Sequence, residues 1–155
     1  MAVKRPYAKA AGVAAAVLVA DQVSKAAVRG SLAPGASRRV VPGVLWLVHD
    51  QNSGVAFSLL TGSEAGVIVI TLAVVAAVLA FFARARERSW IWLACGLVIG
   101  GALGNLIDRV RAGSVTDFVK LPDWPAFNVA DTAITLGVVT LFVAVSIRGS
   151  AARTA

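Results

Sequence analysis

Two aspartates, Asp117 and Asp131, have the residue type and the spacing that acid/base hydrolysis requires. Asp117 lies in the strand-like stretch 114–118, and Asp131 lies one turn into a predicted helix. The 13 residues between them form a return loop long enough to bring the two carboxyl groups together. Two close carboxyl groups do not both ionise easily, so one keeps a proton while the other activates water. Spacing alone leaves a second interpretation open, in which the two acids are solvated separately.

Other kinds of catalysis have little support in the sequence. His49 is the only histidine and Cys95 the only cysteine, so a zinc site built on histidine and an intramolecular disulfide are not expected. Ser24 and Lys25 are adjacent rather than on one helical face, which makes a Ser/Lys dyad a poor fit. We therefore expect a reaction that uses no metal and no cofactor.

The composition indicates that these residues belong to a membrane protein. Of the 155 residues, 58% are hydrophobic and 15% are charged, and the mean hydropathy is +0.80. A soluble domain has about 45–50% apolar and about 25% charged residues, and a chain this short could not bury the excess. The net charge of +7 comes from basic residues at the ends of apolar runs, not from a basic face with aromatic residues. We therefore expect a lipid bilayer and no nucleic acid as a partner.

Four apolar runs predict four transmembrane helices in a single domain that covers residues 1–155. Each run is close to the roughly 20 residues that a helix needs to cross a bilayer. The runs cover residues of about 10–28, 65–83, 89–107 and 126–147. The segment of about 31–60 contains β-rich stretches bounded by proline and glycine, including 55–57 after a turn-like sequence at 52–54. The predicted fold is an all-α membrane protein with a small extracytoplasmic β-sheet between helices 1 and 2.

The distribution of basic residues predicts that both termini lie in the cytoplasm. Eight of these residues are concentrated near span ends, at the two termini and in the loop after the second span, whereas seven on the other side are spread over longer segments. Dense lysine and arginine near span ends mark the cytoplasmic side. The eight are Lys4, Arg5, Lys9, Arg84, Arg86, Arg88, Arg148 and Arg153.

This topology brings polar residues from several span ends to the extracytoplasmic face. Asp21 and Lys25 are spaced i, i+4 at the end of helix 1, which predicts a structural ion pair. In helix 3, Gly96, Gly100 and Gly104 form a stripe that allows another helix to approach closely. Because polar groups at membrane depth are costly, those near the span ends are expected to be paired or functional.

Two other classes of function are alternatives to hydrolysis. A transporter or proton-conducting protein would place acids in the middle of its spans, but the second and third spans contain none. A non-catalytic packing or assembly partner is supported only by the glycine stripe, and it would not depend on Asp117 or Asp131.

Five sequence blocks resemble, in order along the chain, those of the lipoprotein signal peptidase (signal peptidase II) family. Any one block is moderate evidence, whereas five in the family order on a four-span chain are specific. The blocks are DQVSK at 21–25, NSGVAFS at 52–58, GGALGNLIDR at 100–109, VTDF at 115–118 and FNVAD at 127–131.

The resemblance implies an aspartic endopeptidase of the bacterial plasma membrane. It would remove the signal peptide from prolipoproteins by cutting on the N-terminal side of the diacylglyceryl-modified cysteine, with Asp117 and Asp131 as the catalytic dyad. The implied partners are the lipid-modified prolipoprotein and membrane phospholipid, and we expect a monomer. The residues implied to bind substrate or support the site are Asn52, Gly54, Asn105, Asp108, Arg109, Asn128 and Ala130. Among these, Asp108 would orient Arg109 and the end of helix 3.

Overall fold

The computed structural model describes residues 4–54, 63–85 and 90–151, which form four long helices and a three-stranded sheet. The helices are α1 (Lys4–Ser31), α2 (Glu64–Ala85), α3 (Ile91–Ala112) and α4 (Val129–Ala151). The strands are β1 (Ser37–Val41), β2 (Leu45–Asn52) and β3 (Val115–Lys120). Each helix contains a segment of 18 to 27 residues that is long and apolar enough to cross a membrane. This confirms the prediction of four apolar helices. The expected strand at 55–57 and the residues Arg86, Arg88 and Arg153 lie outside the described residues.

Helix α3 is the central helix of the bundle, and small residues let its neighbours approach it. In its span 61% of the residues are buried, against 17% in each of the other three. An added Cβ at Gly100 would lie 2.7 Å from the carbonyl oxygen of Ala14 in α1, and one at Gly101 would lie 2.5 Å from that of Ala130 in α4. Contacts this short exclude any side chain, so α1 and α4 pack against α3 through glycine, as the stripe predicts.

The two ends of the bundle differ in chemistry. Gly96 of α3 packs against Ala10 and Gly104 packs against Asp21, so α1 and α3 run in the same direction and finish at the same end. There α4 begins and the sheet lies beside it, and we call this the polar end. At the opposite end, called the apolar end, the buried core consists of Ala10, Phe82, Ala85, Ile91 and Cys95.

The sheet is antiparallel, with the strand order β1-β2-β3. The strands β1 and β2 form a hairpin between α1 and α2, and β3 joins them from the segment between α3 and α4. The expected sheet therefore includes a strand from a second part of the chain. Strand β2 includes His49, whose side chain is buried.

The register between β2 and β3 brings distant residues together. Asp50 lies opposite Asp117, and Asn52 lies opposite Val115. Side chains two positions apart on one strand point to the same face of a sheet, so Asn52 is a diagonal neighbour of Asp117. A left-handed turn at Gly113, with a φ of 71°, ends α3 and leads the chain into β3.

Candidate active site

Asp117 in β3 and Asp131 in the first turn of α4 contact the same residue, Asn128. The side-chain amide of Asn128 donates a hydrogen bond to Oδ1 of Asp117 at 2.6 Å. Its backbone N–H donates to Oδ2 of Asp131 at 3.1 Å. The loop between β3 and α4 therefore places both carboxyl groups within hydrogen-bonding reach of one fully buried asparagine.

The start of α4 fixes the position of Asp131. Oδ1 of Asn128 accepts the backbone N–H of Asp131 at 2.9 Å, while Asp131 accepts the backbone N–H of Asn128. This reciprocal pair is a capping box, which satisfies N–H groups that a helix start would otherwise leave without partners. The same contacts that begin the helix thus hold the carboxyl group of Asp131 back towards β3.

Two further asparagines donate to the remaining carboxyl oxygens. Asn52 donates to Oδ2 of Asp117 at 3.0 Å, and Asn105 donates to Oδ1 of Asp131 at 2.8 Å. Asn52 is held by an Asx turn, because its Oδ1 accepts the N–H of Gly54 at 2.9 Å and Gly54 adopts a φ of 71°. All four oxygens of the two acids therefore accept at least one hydrogen bond.

The environment of Asp117 favours its protonated form. Burial, the largest cause, raises the pKa of Asp117 from 3.8 to about 6, and the negative charge of Asp131 adds to the increase. The hydrogen bonds from Asn52 and Asn128 lower the pKa and oppose part of that increase. At a pH near 6 this carboxyl group therefore holds a proton about half of the time.

A buried ionic cluster lies directly behind the two acids. The ammonium group of Lys25 is fully buried and lies 2.8 Å from Oδ2 of Asp21, 3.0 Å from Oδ2 of Asp108 and 2.8 Å from Oδ1 of Asn105. Asp21 also accepts the backbone N–H of Ala130 at 3.0 Å. The predicted pair of Asp21 and Lys25 is thus part of a larger cluster that connects α1 to α3 and to the start of α4.

Asp108 and Arg109 are adjacent in the sequence but have different partners. We expected Asp108 to orient Arg109, whereas its carboxylate accepts hydrogen bonds from Gln22 at 3.1 Å and from the N–H of Thr116 at 3.3 Å, besides the contact with Lys25. Arg109 points about 100° away from Asp108 around the helix, and one of its terminal nitrogens donates to the carbonyl oxygen of Asn105 at 3.4 Å. One of its terminal nitrogens lies 3.8 Å from where a Cβ at Gly54 would be.

Sequence reasoning did not single out Gln22 and Thr116 as part of the site. Gln22 donates to Asp108 and to the carbonyl oxygen of Gly104, at 3.1 and 3.2 Å. Thr116 connects β3 to α1 through a 3.1 Å hydrogen bond from Arg29. A polar residue near the end of a membrane helix was the available signal for Gln22, because such a residue needs a partner.

Two open grooves lead from the apolar surface of the bundle to this cluster. The first, of about 300 Å³, lies between α2, α3 and α4, and Asn105 and Arg109 supply its polar lining. We call it the apolar groove, and its other lining residues are Val67, Ile70, Thr71, Val74, Val98, Ala102 and Ile134. The second, of about 270 Å³, passes Trp124, Phe127 and Asp131. Asp131 itself lines the second groove, whereas the first reaches the cluster through Asn105 and Arg109.

The described acids do not gather into a group of three that could hold a metal ion. Among residues 4–54, 63–85 and 90–151, no group of three His, Cys, Asp or Glu side chains could hold a metal ion. Asp21 and Asp108 converge, but the ammonium group of Lys25 occupies the space between them.

Comparison with known proteins supports the family suggested by the sequence blocks. The family model for signal peptidase (SPase) II matches residues 13–147. The lipoprotein signal peptidase of Syntrophomonas wolfei is 41% identical over 133 residues, which cover 86% of this chain and 89% of that protein. The lipoprotein signal peptidase of Pelotomaculum thermopropionicum is 44% identical over 124 residues, which cover 79% of this chain and 82% of the relative.

The fold also matches solved structures. A bacterial membrane enzyme determined by the in meso method at 1.9 Å resolution superposes with a TM-score of 0.81, at 33% identity, over 88% of this chain and 91% of the other. A second such structure, at 2.3 Å resolution, gives a TM-score of 0.83 at 33% identity over 91% of this chain and 89% of the other. With four apolar helices, matching sequence along most of its length and a matching fold, this chain belongs to the signal peptidase II family, and it is a multi-pass membrane peptidase.

Proposed function

We propose that this chain removes the signal peptide from bacterial prolipoproteins as an aspartic endopeptidase. It would cut on the N-terminal side of the diacylglyceryl-modified cysteine, and Asp117 and Asp131 would share the attacking water. The observation that carries this proposal is the position of Asn128, which donates one hydrogen bond to each of the two carboxyl groups. The relatives named lipoprotein signal peptidase support the substrate class.

The two environments suggest a division of labour between the acids. Asp117, whose pKa is raised to about 6, would hold the proton, and Asp131 would act as the base. Asp131 takes a proton from water as the water oxygen bonds to the scissile carbonyl carbon, and Asp117 protonates the carbonyl oxygen. The tetrahedral intermediate then collapses as the C–N bond breaks. The proton held by Asp131 passes to the departing amine of the modified cysteine, and Asp117 recovers its proton from the hydroxyl group that becomes the new carboxyl group.

Arg109 would bind the substrate rather than take part in proton transfer. It lines the apolar groove together with Asn105, close to Gly54. Its Nε is buried and has no hydrogen-bond partner among the described residues. A carbonyl oxygen of an extended substrate would satisfy that donor, since a buried donor without a partner is costly. The apolar groove would accept the apolar part of the signal peptide or of the lipid.

The proposed orientation places the polar end at the outer face of the membrane, with both termini in the cytoplasm. Arg5 and Lys9 lie near the start of α1 and Arg84 lies in the last turn of α2, so these basic residues near the apolar end fit the cytoplasmic side. A lipid-modified cysteine lies at the level of the headgroups, and the acids lie where α1 and α3 end and α4 begins. Substrate and catalytic groups would therefore meet at the same depth. The proposal needs one chain and no cofactor.

The function is tested by incubating the purified protein in detergent with a prolipoprotein that carries the diacylglyceryl group and with the same precursor lacking it. Mass spectrometry of the products should show a single cut, immediately before the modified cysteine and only in the lipidated precursor. A chelator should leave the rate unchanged, because the proposed step uses no metal. Equal cleavage of both precursors, or a cut elsewhere, would contradict the proposed substrate.

A further inference from the structure

Lys25 is a buried cation that the proposed proton transfers do not use. Its side chain has no exposed surface, and its three hydrogens have three acceptors, on Asp21, Asn105 and Asp108. Two of the acceptors are carboxylates, which balance the charge. The third is a neutral amide, and this contact is the only one of the three that leads directly to a proposed catalytic residue.

The contact with Lys25 fixes which way the amide of Asn105 points. An ammonium group only donates, so the atom of Asn105 at 2.8 Å from it must be the oxygen. The NH₂ group then faces away from Lys25 and donates to Oδ1 of Asp131, also at 2.8 Å. Asn128 donates to the same oxygen of Asn105 at 3.2 Å, a longer contact that favours the same orientation.

We propose that Lys25 is a positioning residue for hydrolysis, which holds the Asn105 amide in the orientation that donates to Asp131. This inference rests on the proposed role of Asp131 as the base. In the reversed orientation, the amide oxygen of Asn105 would face the carboxylate oxygen of Asp131, and two acceptors would repel each other. Lys25 therefore acts on the reacting carboxylate through one intervening side chain, without touching the substrate.

A purely structural role for Lys25 makes different predictions. Lys25 neutralises Asp21, which accepts the N–H of Ala130, and Asp108, which accepts the N–H of Thr116. If only these contacts mattered, loss of Lys25 would lower the amount of folded protein without changing the rate per folded molecule. The test must therefore measure kcat and KM on protein whose folded fraction is known.

Lys25→Met removes the cation, and Arg29→Met is its matched control. Arg29 lies one turn further along α1, 3.9 Å from the other oxygen of Asp108, and its substitution changes the net charge equally without touching Asn105. Among folded molecules, Lys25→Met should lower kcat by about 10- to 100-fold, as expected for the loss of a hydrogen bond to a charged group, with KM nearly unchanged. Arg29→Met should keep the kcat of the unmodified chain.

A double-mutant cycle shows whether Lys25 acts through Asn105. Asn105→Ala should lower kcat as well, and, at a pH well below 6 where Asp117 is protonated in each variant, Lys25→Met should have no further effect in that background, because the amide it positions is already absent. Additive losses, or a wild-type kcat in folded Lys25→Met, would overturn the inference. Such a result would leave the peptidase proposal intact, since that proposal fails only if the unmodified chain does not process the lipidated precursor.

A charge-balanced variant covers the case in which Lys25→Met does not fold. Lys25→Met/Asp108→Asn removes the cation together with one of its carboxylates, and it is compared with Asp108→Asn alone. The same 10- to 100-fold difference in kcat is expected. Equal kcat values, or failure of the double variant to fold where Asp108→Asn folds, would assign Lys25 a structural role and contradict the inference. If Asp108→Asn itself does not fold, equal activity of folded Asn105→Ala and the unmodified chain would overturn the inference.

Discussion

The two ends of the helical bundle bury different kinds of side chain. At the apolar end, Ala10, Phe82, Ala85, Ile91 and Cys95 fill the space between the helices, as in the core of a soluble domain. At the polar end, charged and amide side chains that hydrogen-bond to one another are just as deeply buried, with 0–2% exposure at Asp21, Lys25, Asp117 and Asn128. Large apolar side chains lie exposed on the outside of the helices, such as Phe142 at 73%.

This difference shows how a membrane peptidase can separate stability from chemistry. Apolar packing is tolerant of small changes, because nearly isosteric apolar groups replace one another at modest cost. A network of buried polar groups does not tolerate such changes, because each donor or acceptor that loses its partner stays buried without a hydrogen bond. Single substitutions at the polar end should therefore lower activity or stability. The expected effects are given from the largest to the smallest.

Among the variants of supporting residues, Asn128→Ala should have the largest effect, because Asn128 contacts both carboxyl groups and caps the start of α4. Activity should fall by at least about 100-fold, the lower range of what positioned acid/base groups contribute. Loss of the helix cap should also cost about 1 kcal/mol of stability. The matched control is Asn52→Ala, which contacts only Asp117, and should reduce kcat by about tenfold. Equal activities of the two variants would contradict the central position of Asn128.

Gly104→Ala should disturb the polar end through packing. An added Cβ would lie 2.5 Å from Oδ2 of Asp21, the oxygen that contacts Lys25. Overpacking of this kind costs about 1–3 kcal/mol, so the unfolding temperature in detergent should fall. Gly12→Ala in α1 is the control, because nothing lies within 4 Å of its added Cβ and alanine is the better helix former. A Gly104→Ala variant as stable as Gly12→Ala would show that the approach of α1 to α3 is looser than described.

The pH dependence should reflect the burial of Asp117. Its pKa of about 6 means that the protonated acid is lost as the pH rises through 6, so kcat/KM should fall by about tenfold per pH unit well above that value. Asn52→Ala should shift this fall in kcat/KM to higher pH, because the hydrogen bond from Asn52 lowers the pKa of Asp117. If kcat/KM falls at the same pH in Asn52→Ala as in the unmodified chain, another group is responsible for the fall.

The same pKa makes a prediction for stability. Because the folded protein binds this proton more tightly than the unfolded chain, whose aspartates titrate near 3.8, the contribution of Asp117 to stability is present below that pH and is lost as the pH rises through about 6. Asp117→Asn should therefore weaken the dependence of the unfolding temperature on pH between 4 and 7. An unchanged dependence would indicate that Asp117 is less buried in solution.

His49→Ala should have the smallest effect. Nδ1 of His49 donates to the carbonyl oxygen of Leu32 at 2.8 Å, which joins β2 to the end of α1. Loss of this bond should cost about 1 kcal/mol, measured by thermal unfolding. Because β2 also carries Asn52, a loss of activity larger than that of Asn52→Ala would show that the sheet, rather than the network of amides, sets the position of the acids.

Much of the architecture could be predicted from local sequence patterns. The four helices follow from runs of apolar residues, and the pair of Asp21 and Lys25 follows from helical spacing, because both depend on neighbours along the chain. The contact between Asn52 and Asp117 joins residues that are 65 positions apart in the sequence, and the contact between Gln22 and Asp108 joins residues that are 86 apart. Such long-range contacts leave no local periodicity, which is why Gln22 was not recognised as a partner of Asp108.

The central claim, that Asp117 and Asp131 act together on one water, is tested most directly by the single-turnover rate of lipidated-precursor cleavage in Asp117→Asn and Asp131→Asn. Asp50→Asn is the matched control, because Asp50 is exposed on β2 directly opposite Asp117. We predict that each of the first two variants folds and loses at least about 100-fold in rate, while Asp50→Asn retains the rate of the unmodified chain. Cleavage at the normal rate by either folded variant would contradict the account.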